Sequence, residues 1–231
     1  MRVFLAIFSL FLALFWQTDA YATRYTARSI KRYVEKTPRQ DENSISSLVQ
    51  YLVRPLDEDY DKARAIAFWI ASRINYDEYL YNNGETTKLI RGYKGQEPRE
   101  LLKSRVGICG DFAALFEEMC KKAGIRVHQV HGYAYPGSRT KSTYKLKQGS
   151  YGHAWNYFLY KGRKVYVDTT FMAKGTAGVS GRISNRMHNR ALKDIKQDNK
   201  YKSQINRFDD YYFDFDYDDE RHERHYIHQE K

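Results

Sequence analysis

Apolar and polar positions alternate along this chain in two different rhythms. Between Val106 and Gly124, VGICGDFAALFEEMCKKAG sets Phe112, Phe116, Met119 and Ala123 at intervals of four, three and four. That is the stripe of an amphipathic helix. Lys121 and Lys122 fall in its last turn, where the dipole favours cations, and Gly124 can close it in a left-handed cap. Two more helices are expected upstream. One runs from Asp41 and ends before Pro55, with Ile45, Leu48, Val49 and Leu52 on one face. The other spans about Asp57–Asn75, with acids in the first turn and Ala63, Ile66, Ala67, Ile70 and Ile74 aligned. Pro98 opens a short helix to Ser104. After Gly124 the rhythm changes. Ile125–Tyr135 predicts a strand, and His153–Tyr160 and Lys164–Phe171 predict a hairpin turning at Lys161-Gly162.

The remaining stretches divide the chain. Residues 1–22 combine Arg2, an apolar run from Val3 to Trp16 and the small-x-small triplet Ala20-Tyr21-Ala22, the pattern of a cleaved signal peptide. Its apolar helix would reach roughly 21 Å, short of a bilayer span. The expected location is therefore secreted or periplasmic, with no transmembrane anchor after cleavage. Residues 23–56 read as a basic lead-in arm and a helix, 57–171 as the core, and 172–231 as a C-terminal extension packing partly on it. Within the core, 76–97 and 136–151 read as loops. In the extension, Arg182, Arg186, Arg190 and Lys193 suggest a solvated helix, followed by an acidic stretch rich in Tyr and Phe. Aromatic residues at that density point to packing rather than disorder.

Composition narrows the partners. The net charge is +11 and hydrophobic residues make up 42%, enough for a real core. Such a balance suits an anionic cell-envelope polymer, while no motif points to specific nucleic-acid binding. The only cysteines, Cys109 and Cys120, lie eleven residues apart on one expected helix. That places them roughly 16 Å apart along its axis, and a disulfide needs Cα atoms within about 7 Å. No disulfide is expected. His222, His225 and His228 recur every third residue, without the Cys or carboxylate spacing of a tetrahedral site. No metal or cofactor is expected.

Cys109 starts the helix, where unpaired N–H groups and the positive dipole end lower a thiol pKa. On this feature alone it is either an activated nucleophile or a small buried apolar side chain. A thiol nucleophile needs a base, and the base needs a group to fix its tautomer. With a hairpin loop of two or four residues, Trp155 faces Asp168. His153 then lies diagonal to Asp168 on the same face, within imidazole–carboxylate reach. A three-residue loop would separate them. Asn156 faces the other way and takes no catalytic role. His128 and His131 fall on opposite faces of their strand.

Three segments, GICGDFA at 107–113, GHAWNYF at 152–158 and VDTTF at 167–171, resemble the transglutaminase-like superfamily of papain-fold thiol enzymes. KARAIAFWIASRINYD at 62–77 and the closing RHYIH resemble its kyphoscoliosis-peptidase-like branch. The resemblance implies an α+β fold of papain-like, transglutaminase-core type. N-terminal helices would precede a catalytic helix packed on an antiparallel β-sheet. It implies Cys109 as nucleophile, His153 as acid/base and Asp168 as orienting carboxylate, acting on amide bonds of a protein or peptide substrate. It also implies a side-chain oxyanion donor upstream of the cysteine, for which Trp69, Tyr76 and Gln96 stand open. A catalytically inactive module binding cell-wall peptides or a partner protein is the alternative, and a basic surface-binding protein with vestigial site residues is a third reading.

Overall fold

The computed structural model describes residues 25–76, 95–134, 152–174, 205, 207–215 and 225–230. The expected signal peptide, the loops over 77–94 and 136–151, the basic helix near 182–193 and His222 lie outside the described residues.

Local sequence sets the first helices. Thr26 caps α1 (Ala27–Glu35), its hydroxyl oxygen accepting from the Ser29 N–H at 3.1 Å. Ile30 and Val34, four apart, are buried. The stretch read as a lead-in arm is thus a packed helix. Charge dominated its composition and masked a single apolar pair, which is enough once another helix covers it. A 3₁₀ turn (Arg39–Asn43) leads to α2 (Ile45–Val53), capped by Ser44. Next comes α3 (Asp59–Arg73), buried on nearly every side from Ala65 to Arg73. A helix enclosed all round is the centre of its layer.

A two-stranded parallel pair follows, β1 (Asn75–Tyr76) on β2 (Val106–Gly107), with α4 (Pro98–Ser104) before β2. Directly after β2 begins α5 (Cys109–Lys122). It ends in a Schellman motif: the Ile125 N–H donates to the Cys120 carbonyl and the Gly124 N–H to that of Lys121. Phe112, Phe116 and Met119 are wholly buried, as the stripe predicts.

The main sheet is antiparallel, in the order β5 (Arg163–Val167), β4 (Gly152–Tyr160), β3 (Val127–Ala134), β6 (His225–Glu230). The β4–β5 turn holds two residues, Lys161 and Gly162, with φ of 49° and 81°. Both positive angles belong to the type I′ hairpin turn. Tyr160 therefore faces Arg163 and Asn156 faces Val167. The helix α5 packs on one face of this sheet, where Phe158, Val165 and Val167 are buried.

The second hairpin strand stops sooner than its apolar pattern predicts. It ends at Val167, and Thr169–Lys174 turn into a helix, α6. Asp168 caps that helix: its Oδ1 accepts from the Phe171 N–H at 2.9 Å. An acid before Thr-Thr-Phe is a helix start, and the β-branched threonines disguised it as strand. Residues 208–215, from the aromatic–acidic stretch, run beside β5 and α6 and bury Tyr212, Phe213 and Phe215. Among the described residues, no helix is long and apolar enough to cross a membrane.

Candidate active site

The residue before the cysteine, Ile108, is the N-cap of α5 and has no side-chain acceptor to offer. Asp111, three positions on, compensates. Its Oδ2 accepts from the Ile108 N–H at 2.9 Å, and its Oδ1 from the Gln96 N–H at 2.8 Å. One buried carboxylate thus holds both the helix entry and the strand of chain returning toward α4. Gly107 makes room for it. A Cβ there would lie 2.8 Å from Asp111 Oδ2 and 2.7 Å from Leu101 Cδ1. The sequence reading gave Asp111 no role, although an acid at the third helical position is a recognisable signal.

Cys109 is the first residue of α5 and is half-buried. Its backbone N–H belongs to the turn for which a helix has no carbonyl partner. The sulfur shares a hydrogen bond with His153 and receives one from the Ala154 backbone N–H. Burial pushes this thiol up. The His153 hydrogen bond, the charge of that ring and the Ala154 N–H together bring it below its ordinary value. Cys120, in the last turn of the same helix, has the opposite fate: burial, then the Asp59 charge, hold it well above the ordinary thiol value.

His153 enters on β4 and is nearly buried. Its Nε2 lies 2.6 Å from Asp168 Oδ2, which leaves Nδ1 for the Cys109 sulfur. Burial lowers the imidazole pKa, but the Asp168 charge and hydrogen bond, followed by Cys109, raise it to about 9. The ring also has two aromatic neighbours. Trp155 stacks on one contact at 5.6 Å between centroids and Phe171 on another at 4.8 Å, each within 25° of parallel. Such rings fix the imidazole plane and favour its cationic form.

Asp168 is fully buried and stands at the β5–α6 junction. One oxygen caps α6 and the other holds His153. The structure therefore brings Cys109, His153 and Asp168 into one hydrogen-bonded line. The two-residue turn puts His153 and Asp168 within reach, as the register argument requires. The ladder itself stops at Val167, so Asp168 meets the ring from a helix cap rather than from a strand position.

The other sequence candidates separate cleanly. The Trp69 indole N–H donates to Glu42 Oε1 at 3.1 Å, and its ring lies under Arg105. Gln96 gives its side-chain amide to the Val106 carbonyl at 2.8 Å. Both donors are committed elsewhere. Tyr76 pairs with Gly107 across β1–β2, two residues before Cys109. Asn156 faces α5, its amide donating to the Ala113 carbonyl at 3.3 Å. His128 stacks on Tyr157 on the opposite face of the sheet. Among the described residues no cluster of His, Cys, Asp and Glu could hold a metal ion.

A mixed domain with an antiparallel sheet, a cysteine opening the packed helix and a histidine on the strand beside it define a thiol-enzyme type of architecture. The sequence matches the Transglutaminase-like superfamily over residues 46–169, more than half of the chain, and the chain belongs to that superfamily. It is 29% identical to the human kyphoscoliosis peptidase over 164 residues, 71% of this chain and 21% of the relative. The mouse kyphoscoliosis peptidase is 30% identical over 161 residues, 69% of this chain and 21% of that one. The chain thus spans about a fifth of the length of these curated relatives. Among solved structures, a putative cysteine protease from Cytophaga hutchinsonii aligns with a TM-score of 0.40 and 20% identity, covering 59% of this chain and 40% of that one. A TGase aligns with a TM-score of 0.41 and 14% identity, covering 72% and 38%.

Proposed function

We propose that this chain is an exported thiol enzyme that cleaves or transfers acyl groups at amide bonds of protein or peptide substrates. The observation that carries the reading is the unbroken line Asp168–His153–Cys109 at a helix N-terminus. Cys109 is the nucleophile, His153 the acid/base and Asp168 the carboxylate that holds the ring. The thiolate attacks the substrate carbonyl carbon, forming a C–S bond. His153 gives its proton to the departing nitrogen as the C–N bond breaks, leaving a thioester. Water, deprotonated by His153, attacks the thioester carbon, and the C–S bond breaks to release the acid and return the thiolate; an amine in its place forms a new amide. Hydrolysis is the favoured outcome, because nothing in the sequence marks an amine site.

The Cys109 N–H supplies one donor to the oxyanion. Of the three upstream side chains, Tyr76 belongs to β1, the strand paired with the Val106–Gly107 approach to Cys109. Its place opposite Gly107 supports it as the second donor.

Alkylation of Cys109 by iodoacetamide, followed against pH by mass spectrometry, tests the reading, with Cys120 as internal control. Cys109 should react fast with a midpoint below the ordinary thiol value of about 8.5, and His153→Ala should abolish that shift. Cys109→Ala should remove all amide hydrolysis and amine incorporation. If Cys109 behaves as an ordinary thiol in the intact protein, the enzyme reading fails and a binding module takes its place.

A further inference from the structure

The aromatic–acidic stretch near the C-terminus lies beyond the family-matched residues 46–169, and the chemistry above makes no use of it. Its position is nevertheless specific. The Tyr212 carbonyl accepts the Asp168 N–H at 2.9 Å. On either side of that bond, the Asp214 N–H donates to the Tyr166 carbonyl at 2.7 Å and the Asp209 N–H to that of Met172 at 2.9 Å. Asp168 is thus stitched to this strap before, at and after its own position, where β5 ends and α6 starts.

A second route runs through rings. The Tyr212 ring meets Phe171 edge-on at 5.3 Å and 72°. Phe171 in turn stacks on His153 at 4.8 Å. The far end of the strap is tied down by Asp214, whose φ is +64°. Its two oxygens take both terminal nitrogens of Arg163 at 2.6 Å, and Oδ2 also accepts from the Tyr60 hydroxyl at 2.8 Å. A bidentate pair of this kind fixes direction as well as distance. Phe213 fills the space between, against Tyr60 at 5.2 Å and Phe158 at 6.4 Å.

We propose that residues 209–215 form a brace that positions Asp168 and His153 and thereby sets the reactivity of Cys109, with Tyr212 as the positioning residue and the Arg163–Asp214 pair as its anchor. The inference rests on the thiol-enzyme reading of the site. Neither Tyr212 nor Asp214 touches substrate; both act through the carboxylate and the imidazole ring. A carboxylate held only by a six-residue helix would lose its registry with His153 once the strap moved. A displaced catalytic group on this scale costs about tenfold to a hundredfold in rate.

The test uses the full chain with Tyr212→Ala, Tyr212→Phe and Asp214→Asn. Readouts are the pH midpoint of Cys109 alkylation and, on a peptide substrate, kcat and KM separately. Tyr212→Ala is expected to lower kcat about tenfold or more with KM little changed, and to move the Cys109 midpoint up toward about 8.5. Tyr212→Phe, which keeps the ring, should restore both. If Tyr212→Ala does not fold, Asp214→Asn carries the test, with the same upward shift at smaller size. A midpoint and kcat unmoved in folded Tyr212→Ala, or in Asp214→Asn where that variant decides, overturns the brace alone, because the wild-type midpoint still stands low. A wild-type midpoint already at the ordinary thiol value overturns the site reading and the brace with it.

Discussion

Opposed forces meet at His153. Burial disfavours the imidazolium, while the Asp168 carboxylate and then the Cys109 sulfur favour it, and the group settles at about 9 instead of 6.5. Cys109 is displaced the other way. The paired thiolate and imidazolium therefore coexist from the depressed thiol value up to about 9. On the proposed mechanism the sulfur is protonated below that window and does not attack, and above it His153 has no proton to give the leaving nitrogen. Turnover of a peptide substrate should follow a bell in pH, with its acid limb under about 8.5 and its basic limb near 9. Asp168→Asn removes the charge that lifts the ring, so the basic limb should move down. The rate should fall by roughly 10²–10⁴, the cost of a base held in the wrong tautomer. The asparagine still offers an oxygen to the Phe171 N–H, so the cap of α6 is kept. Asp168→Ala loses the cap as well and should cost about 1 kcal/mol more. A basic limb that stays put in Asp168→Asn would remove the carboxylate from its assigned role.

At the scale of elements, what the sequence made legible follows from short-range physics. The α5 stripe, its dipole-matched ends and the two-residue turn of the β4–β5 hairpin are each encoded within a few residues. The hairpin turn then fixed which face His153 would share. Asp168 was placed correctly beside His153, yet its setting in a helix cap was hidden by Thr169 and Thr170, which read equally well as strand. Contacts between remote elements left no local trace. Glu42 is the clearest case. It lies in the 3₁₀ turn before α2, 3.2 Å from Arg73 at the end of α3 and 3.2 Å from Arg105 just before β2. All three side chains are buried, and burial pulls Arg105 down to about 10 against the pull of Glu42. Arg105 itself sits at φ +60°, and its carbonyl receives the Asn75 N–H at 2.8 Å, registering β1 against the approach to Cys109. With one carboxylate serving two guanidinium groups, Glu42→Gln strands both cations in the interior. The expected cost is about 3–5 kcal/mol of unfolding free energy, read by urea denaturation. A loss below about 1 kcal/mol would mean that water reaches the cluster and the clamp is weak.

For the whole molecule, the question is what a net charge of +11 does around a buried site in which one imidazolium faces a thiolate and the Asp168 carboxylate. The thiolate and imidazolium neutralise each other, and the chemistry between them is short-range and shielded from salt by burial. Asp168 is enclosed as well. The surplus positive charge is therefore free to act at a distance, on capture rather than on the bond-breaking step. Mobile ions screen such a field over about 10 Å at 0.1 M. An acidic peptide should accordingly show a KM that climbs with ionic strength while kcat holds steady, and a basic peptide of matched length should show the reverse trend in KM. Cys109→Ala protein should retain salt-sensitive binding to an anionic envelope polymer, because capture does not use the sulfur. A KM indifferent to salt for both peptides, together with no polymer binding by Cys109→Ala, would reduce the charge to a means of staying in solution. A salt effect on kcat instead would place part of the field inside the site, which the burial of His153 and Asp168 argues against.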